Sequence, residues 1–245
     1  MTDTIDIAAN LALVQERMAA AARRAGRSPD EIMLLAVSKT HPVKLIEQAL
    51  AAGQRDFGEN LVEEAWAKFG DPDSPASLAT HFDAAGRPRL HLIGPIQSRK
   101  AALAVACRPA LIHAVDRLKV ANRLDRFAAE ANRVLDVLLE VNVAGETSKF
   151  GWTPDGVRQD AEAILALPRL RVAGLMTIPP YEPDPEAARP HFAALRRLQL
   201  ELARRYAQAD WRCLSMGMSH DFEVAIEEGA TIVRVGTAIF GTRTP

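Results

Sequence analysis

One lysine of this sequence stands where its side chain could act on a carbonyl group. Residues 32–37 (IMLLAV) are all apolar, and Lys39 follows two positions beyond them. A run of this length is too short for a buried helix and is typical of a strand covered on both faces. An amine beside such a strand is poorly solvated, and desolvation makes a lysine a better nucleophile. The alternative is a solvated lysine whose stem lies along the end of the strand.

A second lysine, Lys149, follows another strand-like segment, residues 134–143. By itself it is an ordinary loop residue. If the two segments belong to one sheet, Lys39 and Lys149 share a rim. Two amines on one rim favour a ligand that carries a negative charge or a carbonyl group.

Two segments near the end of the chain combine glycine with hydroxyl residues, namely 215–219 (SMGMS) and 236–241 (GTAIFG). Small residues let backbone amides come close to a ligand, and hydroxyl groups add donors. The two segments therefore favour phosphate binding. The alternative is a pair of tight turns, with Ser219 capping a helix.

Three further polar residues stand within or just after strand-like segments. Arg234 alternates with Gly236, so both are predicted to face a barrel interior, where a charge needs a partner such as a salt bridge to a neighbouring strand. Asn60 is predicted to cap the next helix, with Glu63 completing a capping box, and a ligand contact is compatible with that role. His91 is predicted to be buried and hydrogen-bonded rather than a metal ligand, since no other ligand type stands at a suitable spacing.

The order of strands and helices decides whether these residues meet. Apolar runs and helical periodicities alternate roughly eight times, at the spacing of βαβ units. This pattern predicts an α/β fold with a single (β/α)8 TIM barrel over residues 1–245, rather than an open doubly wound sheet. In a barrel the chemistry lies at the carboxyl ends of the strands, and phosphate is usually held after the last two. Strands are predicted at 32–37, 55–57, 89–93, 111–113, 134–143, 170–175, 213–214 and 231–235, and helices at 8–25, 42–52, 60–69, 97–106, 118–132, 155–167, 185–206 and 221–228.

These features converge on pyridoxal 5'-phosphate (PLP). PLP carries an aldehyde for a lysine and a phosphate for the glycine- and serine-rich segments. The six histidines are scattered and do not support a metal site. A different chemistry stays open: a metal-free aldolase in which Lys39 reacts directly with a sugar phosphate.

Composition excludes several classes of protein. The 245 residues are 48% hydrophobic and 25% charged, which is ordinary for a globular protein and unlike a disordered chain. The formal net charge of −1 argues against nucleic acid or a membrane surface as a partner. No signal peptide or membrane-spanning run is found, so a cytoplasmic protein is expected. Cys107 and Cys213 are too few for a disulfide framework, and both are expected in the core.

Taken together, the motifs resemble the pyridoxal phosphate homeostasis protein family, single-domain relatives of the alanine racemase N-terminal barrel. The matching segments occur in the same order over nearly the whole chain. They are AVSKTHP (36–42), FGEN (57–60), HLIGPIQSRK (91–100), VNVAGETSKFG (141–151), GLMTIPP (174–180), LSMGMSHDFEVAI (214–226) and VRVGTAIFG (233–241).

The resemblance assigns roles to individual residues. It implies that Lys39 carries PLP as a Schiff base and that Arg234 faces the pyridine nitrogen. It implies that Asn60 and Met176 line the pocket and that Lys149 lies near the phenolic oxygen of the cofactor. The phosphate would be held by Ser215, Ser219, Gly236 and Thr237.

The chain departs from the family pattern at three places. Leu90 stands where the family usually has an aromatic residue, and Arg99 stands where it commonly has Asn. The segment 70–88, rich in Pro, Asp, Ser and Gly, is a predicted surface loop and is longer than the family pattern. None of these positions carries a predicted cofactor contact, although the loop could alter access to the pocket.

The resemblance implies a protein that carries and buffers PLP rather than an enzyme. An arginine beside the pyridine nitrogen disfavours its protonation and weakens the ring as an electron sink. Racemases take a second acid/base, a tyrosine, from a further domain that we expect this chain to lack. Of its two tyrosines, Tyr206 falls late in a helix, whereas Tyr181 follows the sixth strand and keeps the alternative of a PLP-dependent amino acid racemase or lyase open. A monomer is expected, with apo PLP-dependent enzymes as recipients of the cofactor.

Overall fold

Eight parallel strands form a closed barrel in the computed structural model, which describes residues 5–70, 78, 86–146 and 149–242. The strands are β1 (Met33–Val37), β2 (Asp56–Glu59), β3 (Arg89–Leu92), β4 (Leu111–Val115), β5 (Leu135–Glu140), β6 (Leu170–Met176), β7 (Cys213–Met218) and β8 (Ile232–Val235). Each strand pairs with the next in chain order, and β8 pairs in parallel with β1. The predicted (β/α)8 TIM barrel is confirmed.

Helices surround the barrel. They are α1 (Ile7–Arg24), α2 (Val43–Ala51), α3 (Val62–Ala65), α4 (Ala101–Ala106), α5 (Leu118–Glu130), α6 (Pro154–Leu165), α7 (Arg189–Arg205), α8 (Phe222–Glu227) and α9 (Thr237–Phe240). Helix α1 precedes the first strand and packs against α8 and α9. The pattern of apolar residues does not predict α9, because four residues are too few to show a helical period.

Strand side chains alternate between an outer core under the helices and an inner cluster within the barrel. In β1, Leu34 packs with the outer core, while Leu35 belongs to the inner cluster together with Ile232 of β8. Because side chains alternate along a strand, Arg234 faces inward like Ile232. His91 of β3 does the same, and both polar side chains are buried.

Strands β2 and β7 extend beyond the predicted segments 55–57 and 213–214, since they reach Glu59 and Met218. Serine, glycine and glutamate have low strand propensity, so the sequence pattern stops early. Pairing with a strand on each side holds these residues in the sheet. Tertiary context therefore overrides local propensity at both places.

The region after β2 differs most from its prediction. A single helix is predicted over 60–69, but α3 covers four residues and continues as a π-helical turn over Trp66–Gly70. The residue that caps α3 is Leu61, with no side-chain hydrogen bond, so the predicted capping by Asn60 and Glu63 is wrong. The helix begins too late for Asn60 to reach its first amides, and the wide turn brings Lys68 to a buried position.

The predicted loop at 70–88 lies mostly outside the described residues. Leu78 is described and fully buried, and its N–H donates to the carbonyl of Lys68 at 2.7 Å.

Gly94, just after β3, packs against the segment that follows β2. A Cβ atom at this position would lie 2.4 Å from the backbone oxygen of Asn60. Only glycine permits this approach, which brings the ends of two neighbouring strands together at the rim of the barrel.

Candidate functional site

A cavity of about 450 Å³ opens at the carboxyl ends of the strands. This volume lies within the range of small-molecule sites, roughly 300–1,000 Å³. Its polar side chains come from segments that are far apart in the sequence and meet because the barrel closes. The predicted site residues that line it are Lys39, Asn60, Lys149, Ser219, Arg234, Gly236 and Thr237.

Beside β1 and β2 lies a group of charged side chains, the buried Glu59 and Lys68 and the half-buried Glu64, which we call the ionic cluster. The ammonium of Lys68 donates to Oε1 of Glu59 at 3.0 Å and to Oε1 of Glu64 at 2.7 Å. Burial raises the pKa of Glu59 to about 7, although the charge of Lys68 partly opposes the rise. In the described part of the chain, the second oxygen of Glu59 has no hydrogen-bond partner.

The ionic cluster holds the backbone on both sides of Lys39. The Ser38 hydroxyl donates to Glu59 at 2.7 Å, and the Ser38 carbonyl accepts from the ammonium of the cluster at 2.8 Å. The N–H of Thr40 donates to Glu64. Thr40 has a φ of 66°, a left-handed conformation that costs free energy outside glycine and that these hydrogen bonds help to hold. The half-buried Lys39 therefore leaves β1 in a fixed direction.

The segments after β7 and β8 meet on another wall of the cavity. The hydroxyl oxygen of Ser219 accepts from the N–H of Gly236 at 3.2 Å and from the N–H of Ala238 at 3.4 Å. Thr237, between these amides, is exposed and lines the cavity. Two hydroxyl groups on one wall of the cavity are suited to a phosphate group, which accepts hydrogen bonds. Ser219 does not cap the helix that follows it, since the capping position of α8 is Asp221, but its oxygen accepts from an N–H in the first turn of α9.

Arg234 lies at the floor of the cavity and is 4% exposed. Its Nη1 donates to Oγ of Ser215 at 2.7 Å, and its Nη2 donates to the carbonyl of Thr177 at 2.9 Å. Burial lowers its pKa to about 10, with the charges of Asp221 and Glu140 opposing the change, so it is cationic at neutral pH. Its partners are neutral oxygens, and the anticipated salt bridge to a neighbouring strand is not present among the described residues.

Two predicted site residues lie beneath the cavity rather than on its wall. Ser215 is fully buried between Arg234 and His113. Met176 is fully buried in the inner cluster of the barrel, in register with Ser215 on the neighbouring strand. Ser215 thus contacts the arginine of the site rather than the glycine-rich segment that follows β8.

The mouth of the cavity carries the second lysine and several exposed apolar side chains. Lys149 lines the cavity and forms an ion pair with Glu146 at 2.7 Å. Phe150 and Tyr181 also line it, and Tyr181 is 74% exposed and contacts the ring of His220.

A buried acid on the cavity wall was missed from the sequence. Glu140, at the end of β5, lines the cavity and is 6% exposed. Burial and the neighbouring charge of Asp116 raise the pKa of Glu140 to about 7, while Arg234 opposes the rise. Leu138, two residues earlier in β5, faces the barrel interior, so alternation along the strand could have predicted that Glu140 faces it as well.

The described residues also bear on three other features, namely a metal site, a membrane-spanning helix and a reactive cysteine. Side chains of His, Cys, Asp and Glu in residues 5–70, 78, 86–146 and 149–242 form no group of three that could hold a metal ion. Within the same ranges, no helix has the length and apolar character needed to cross a membrane. Cys107 is buried, donates to the carbonyl of Val62 and has a pKa raised to about 12 by burial, as expected of a core thiol, whereas Cys213 is only partly buried.

Comparison with known proteins agrees with this architecture. The sequence matches the family model described as the alanine racemase N-terminal domain over residues 7–244. A pyridoxal phosphate homeostasis protein of Pseudomonas aeruginosa is 46% identical over 239 residues, which cover 97% of this chain and 96% of the relative. A protein of the same name from Aquifex aeolicus is 44% identical over 233 residues, with 95% and 96% covered.

A solved structure is similar over the same length. PipY of Synechococcus elongatus PCC7942, in a structure with PLP bound, is 38% identical and superposes with a TM-score of 0.79, covering 93% of this chain and 100% of that one. The barrel and its relatives are thus similar from end to end.

Proposed function

This chain belongs to the pyridoxal phosphate homeostasis protein family, and on that premise we propose that it binds PLP in the cavity and carries and buffers the cofactor without robust catalysis of its own. The observation that carries the proposal is that one cavity is lined both by Lys39 and by the hydroxyl residues Ser219 and Thr237, which follow β7 and β8. When bound, PLP supplies an aldehyde that condenses with a primary amine and releases one water.

The side chains present fit this group. The hydroxyl groups of Ser219 and Thr237, both on the cavity wall, are donors for the phosphate. The N–H groups of Gly236 and Ala238 donate to the Ser219 oxygen and so orient its hydroxyl proton away from them. A Cβ atom at Gly236 would lie 3.3 Å from both the Cβ atom and the backbone oxygen of Val37, so the segment after β8 packs closely against the end of β1 here. Lys39 supplies the amine, and Asn60 and Lys149 supply polar contacts along the rim.

Arg234 favours binding over catalysis. A guanidinium only donates hydrogen bonds, so a pyridine nitrogen facing it must accept one and stays unprotonated. An unprotonated ring withdraws electrons less well, and carbanion chemistry is correspondingly weak. The same arginine still orients the ring, which is sufficient for a carrier.

Titration tests the proposal. Ligand-free protein mixed with PLP should develop a visible absorption band that differs from that of the free cofactor. Lys39→Ala should abolish the band, whereas Lys44→Ala, at an exposed position of α2, should leave it unchanged. A protein that develops no band would contradict the proposal.

Lys149 is proposed to assist the transfer of PLP to apo-enzymes, because it is a second amine at the mouth of the cavity. Lys149→Ala should slow the reactivation of an apo PLP-dependent enzyme by the loaded protein, with Lys44→Ala as the control. If the rate of reactivation stays the same, this role of Lys149 is wrong.

A PLP-dependent racemase or lyase is the second candidate, because Tyr181 lines the cavity. A tyrosine there could supply the second acid/base that racemisation needs. Solvent deuterium exchange at the α-carbon of amino acids, measured with loaded protein, separates the two functions. Exchange well above that of free PLP, and lost in Tyr181→Phe, would favour the enzyme.

We also propose that the protein acts as a cytoplasmic monomer. The near-neutral net charge of −1 supports a small-molecule partner rather than nucleic acid or a membrane surface. Light scattering that reports a stable dimer would contradict the monomer.

A further inference from the structure

We infer that a one-directional chain of hydrogen bonds through Ser215, His113 and His91, ending on Asp56, positions Arg234 in the floor of the cavity. We call this chain the relay. His113 and His91 are then positioning residues, while Arg234 is the group that meets the ligand. The ligand side of this inference rests on the proposed binding of PLP, whereas the relay itself is a property of the protein alone.

The relay is continuous and buried. Arg234 Nη1 lies 2.7 Å from Ser215 Oγ, which lies 2.8 Å from His113 Nδ1. His113 Nε2 lies 2.9 Å from His91 Nδ1, and His91 Nε2 lies 3.1 Å from Asp56 Oδ1. The contact between Ser215 of β7 and His113 of β4 spans the interior of the barrel, since these strands are not neighbours in the sheet. All five side chains are buried, with residue exposures of 0–6%.

Asp56 fixes the acceptor end of the relay. Both of its oxygens accept from the guanidinium of Arg89, through Nε at 2.6 Å and through Nη2. Burial alone would raise the pKa of Asp56, but the hydrogen bonds from Arg89 and His91 outweigh it and lower the pKa to about 2. An ionised carboxylate only accepts, so Nε2 of His91 carries a proton and donates it.

The proton positions on the next two rings follow from this end. A singly protonated His91 accepts at Nδ1, so Nε2 of His113 must donate. Burial holds the pKa of His113 well below its usual range, and the charge of Arg234 acts in the same direction, so this ring is neutral. Its Nδ1 then accepts from the Ser215 hydroxyl. The hydroxyl oxygen keeps its lone pairs for Arg234.

Because the Ser215 hydroxyl donates its proton to His113, its oxygen can only accept a hydrogen bond from Arg234. Nη1 donates to Ser215 of β7 and Nη2 donates to the carbonyl of Thr177, just after β6, so the plane of the guanidinium is fixed at two points. In the described part of the chain, no carboxylate forms an ion pair with Arg234. Its charge therefore stays available to a ligand, and the negative charge that polarises the relay lies at the opposite end, on Asp56.

Histidine tautomers test the relay in ligand-free protein. With 15N-labelled histidine at pH 8, long-range proton–nitrogen spectra should show both His113 and His91 as neutral rings protonated on Nε2. Either ring protonated on Nδ1 would overturn the relay, and no binding of PLP is needed to decide this.

A pair of serine variants tests what the relay does. Ser215→Ala breaks the relay beside Arg234, while Ser219→Ala removes a hydroxyl from the phosphate donor set. PLP and pyridoxal share a pyridine ring, but pyridoxal has no phosphate. Ser215→Ala should weaken both ligands by the same factor, about tenfold for one hydrogen bond to a charged group. Ser219→Ala should weaken PLP alone.

The outcomes separate the relay from the proposed function. A loss in Ser215→Ala that affects PLP but not pyridoxal would place this serine at the phosphate and overturn its role in the relay. An unchanged affinity for both ligands, in a variant with wild-type circular dichroism, would overturn the positioning of Arg234. If the wild-type protein binds neither ligand, the proposed function fails, and the tautomers alone decide the relay.

Discussion

Lys39 and Arg234 are cations that line the same cavity, yet the groups behind them differ in kind. Behind Lys39 lies the ionic cluster of two carboxyl groups and one ammonium, which contacts the neighbouring backbone at Ser38 and Thr40. Behind Arg234 lies the relay, whose neutral end at Ser215 contacts the arginine side chain directly and whose charged end at Asp56 is remote.

This difference fits what each cation is proposed to do. A lysine that forms a covalent bond needs a fixed backbone, because its own amine takes part in the reaction. An arginine that orients a ring through hydrogen bonds needs a fixed guanidinium plane. The ionic cluster holds the backbone beside Lys39. Neutral oxygen acceptors hold the guanidinium plane of Arg234.

The largest expected effect is the loss of the cation of the ionic cluster. Lys68→Met would leave Glu59 and Glu64 without their buried partner, so we expect the free energy of unfolding to fall by about 3 kcal/mol. Urea denaturation at pH 7.5 measures the change, with Lys44→Met as an exposed control. A loss below about 1 kcal/mol, the range of surface ion pairs, would show that the cluster does not hold this wall together.

A second prediction concerns Glu140, which lines the cavity near Arg234 and ionises only as the pH rises through about 7. The pKa of Glu140 is about 7 in the folded protein, above its ordinary value. The stabilisation of the protonated form is therefore complete below about pH 4.5 and is lost as the pH rises through 7. Glu140→Gln stays neutral, so its advantage over the wild type should grow by about 3 kcal/mol from pH 4 to pH 8.

Unfolding free energies of the two proteins at pH 4, 6 and 8 test this expectation. Glu59 has a pKa of about 7 and contributes a change of the same sign, but it is present in both proteins and cancels in the difference. A difference that stays constant with pH would mean that the pKa of Glu140 is the same in the folded and the unfolded protein, which would contradict the expectation.

Ionisation of Glu140 should also change the affinity for PLP, by less than it changes the free energy of unfolding. Above pH 7, an ionised Glu140 adds negative charge to a cavity that binds an anionic cofactor, and it competes for Arg234. We expect the affinity of the wild type to fall a few-fold relative to Glu140→Gln between pH 6 and pH 8, at about 1 kcal/mol or less. If the ratio of the PLP affinities of the wild type and Glu140→Gln stays the same between pH 6 and pH 8, this expectation is wrong.

The smallest effect on PLP affinity is expected from a substitution of Tyr181 at the mouth of the cavity. Tyr181 is 74% exposed and contacts His220 rather than the ionic cluster or the relay. Tyr181→Phe should change the affinity for PLP by less than about twofold, since an exposed hydroxyl contributes little. A loss of tenfold or more would move the functional site outward and favour the enzymatic alternative.

The sequence predicts the barrel and most of the cavity because both follow from local patterns. The apolar run before Lys39 and the glycine-rich segment at Gly236 mark strand ends, and strand ends of a barrel meet on one face. The resemblance adds roles for Asn60 and Arg234 that spacing does not give.

The supporting groups escape prediction because they depend on contacts across the fold. Lys68 reaches the backbone beside Lys39 only because α3 ends in a π-helical turn, which the helical period hides. His113 meets Ser215 across the interior of the barrel, 102 positions along the chain. His91 is the exception, because its place within a strand-like segment already predicted a buried, hydrogen-bonded ring.

The most direct test of the account is to reduce the PLP-loaded protein with borohydride and map the modified peptide by mass spectrometry. The account predicts one stable phosphopyridoxyl adduct, on Lys39, at a stoichiometry near one per chain. An adduct on Lys149 or Lys68 instead, or a protein left unmodified after incubation with PLP, would contradict it.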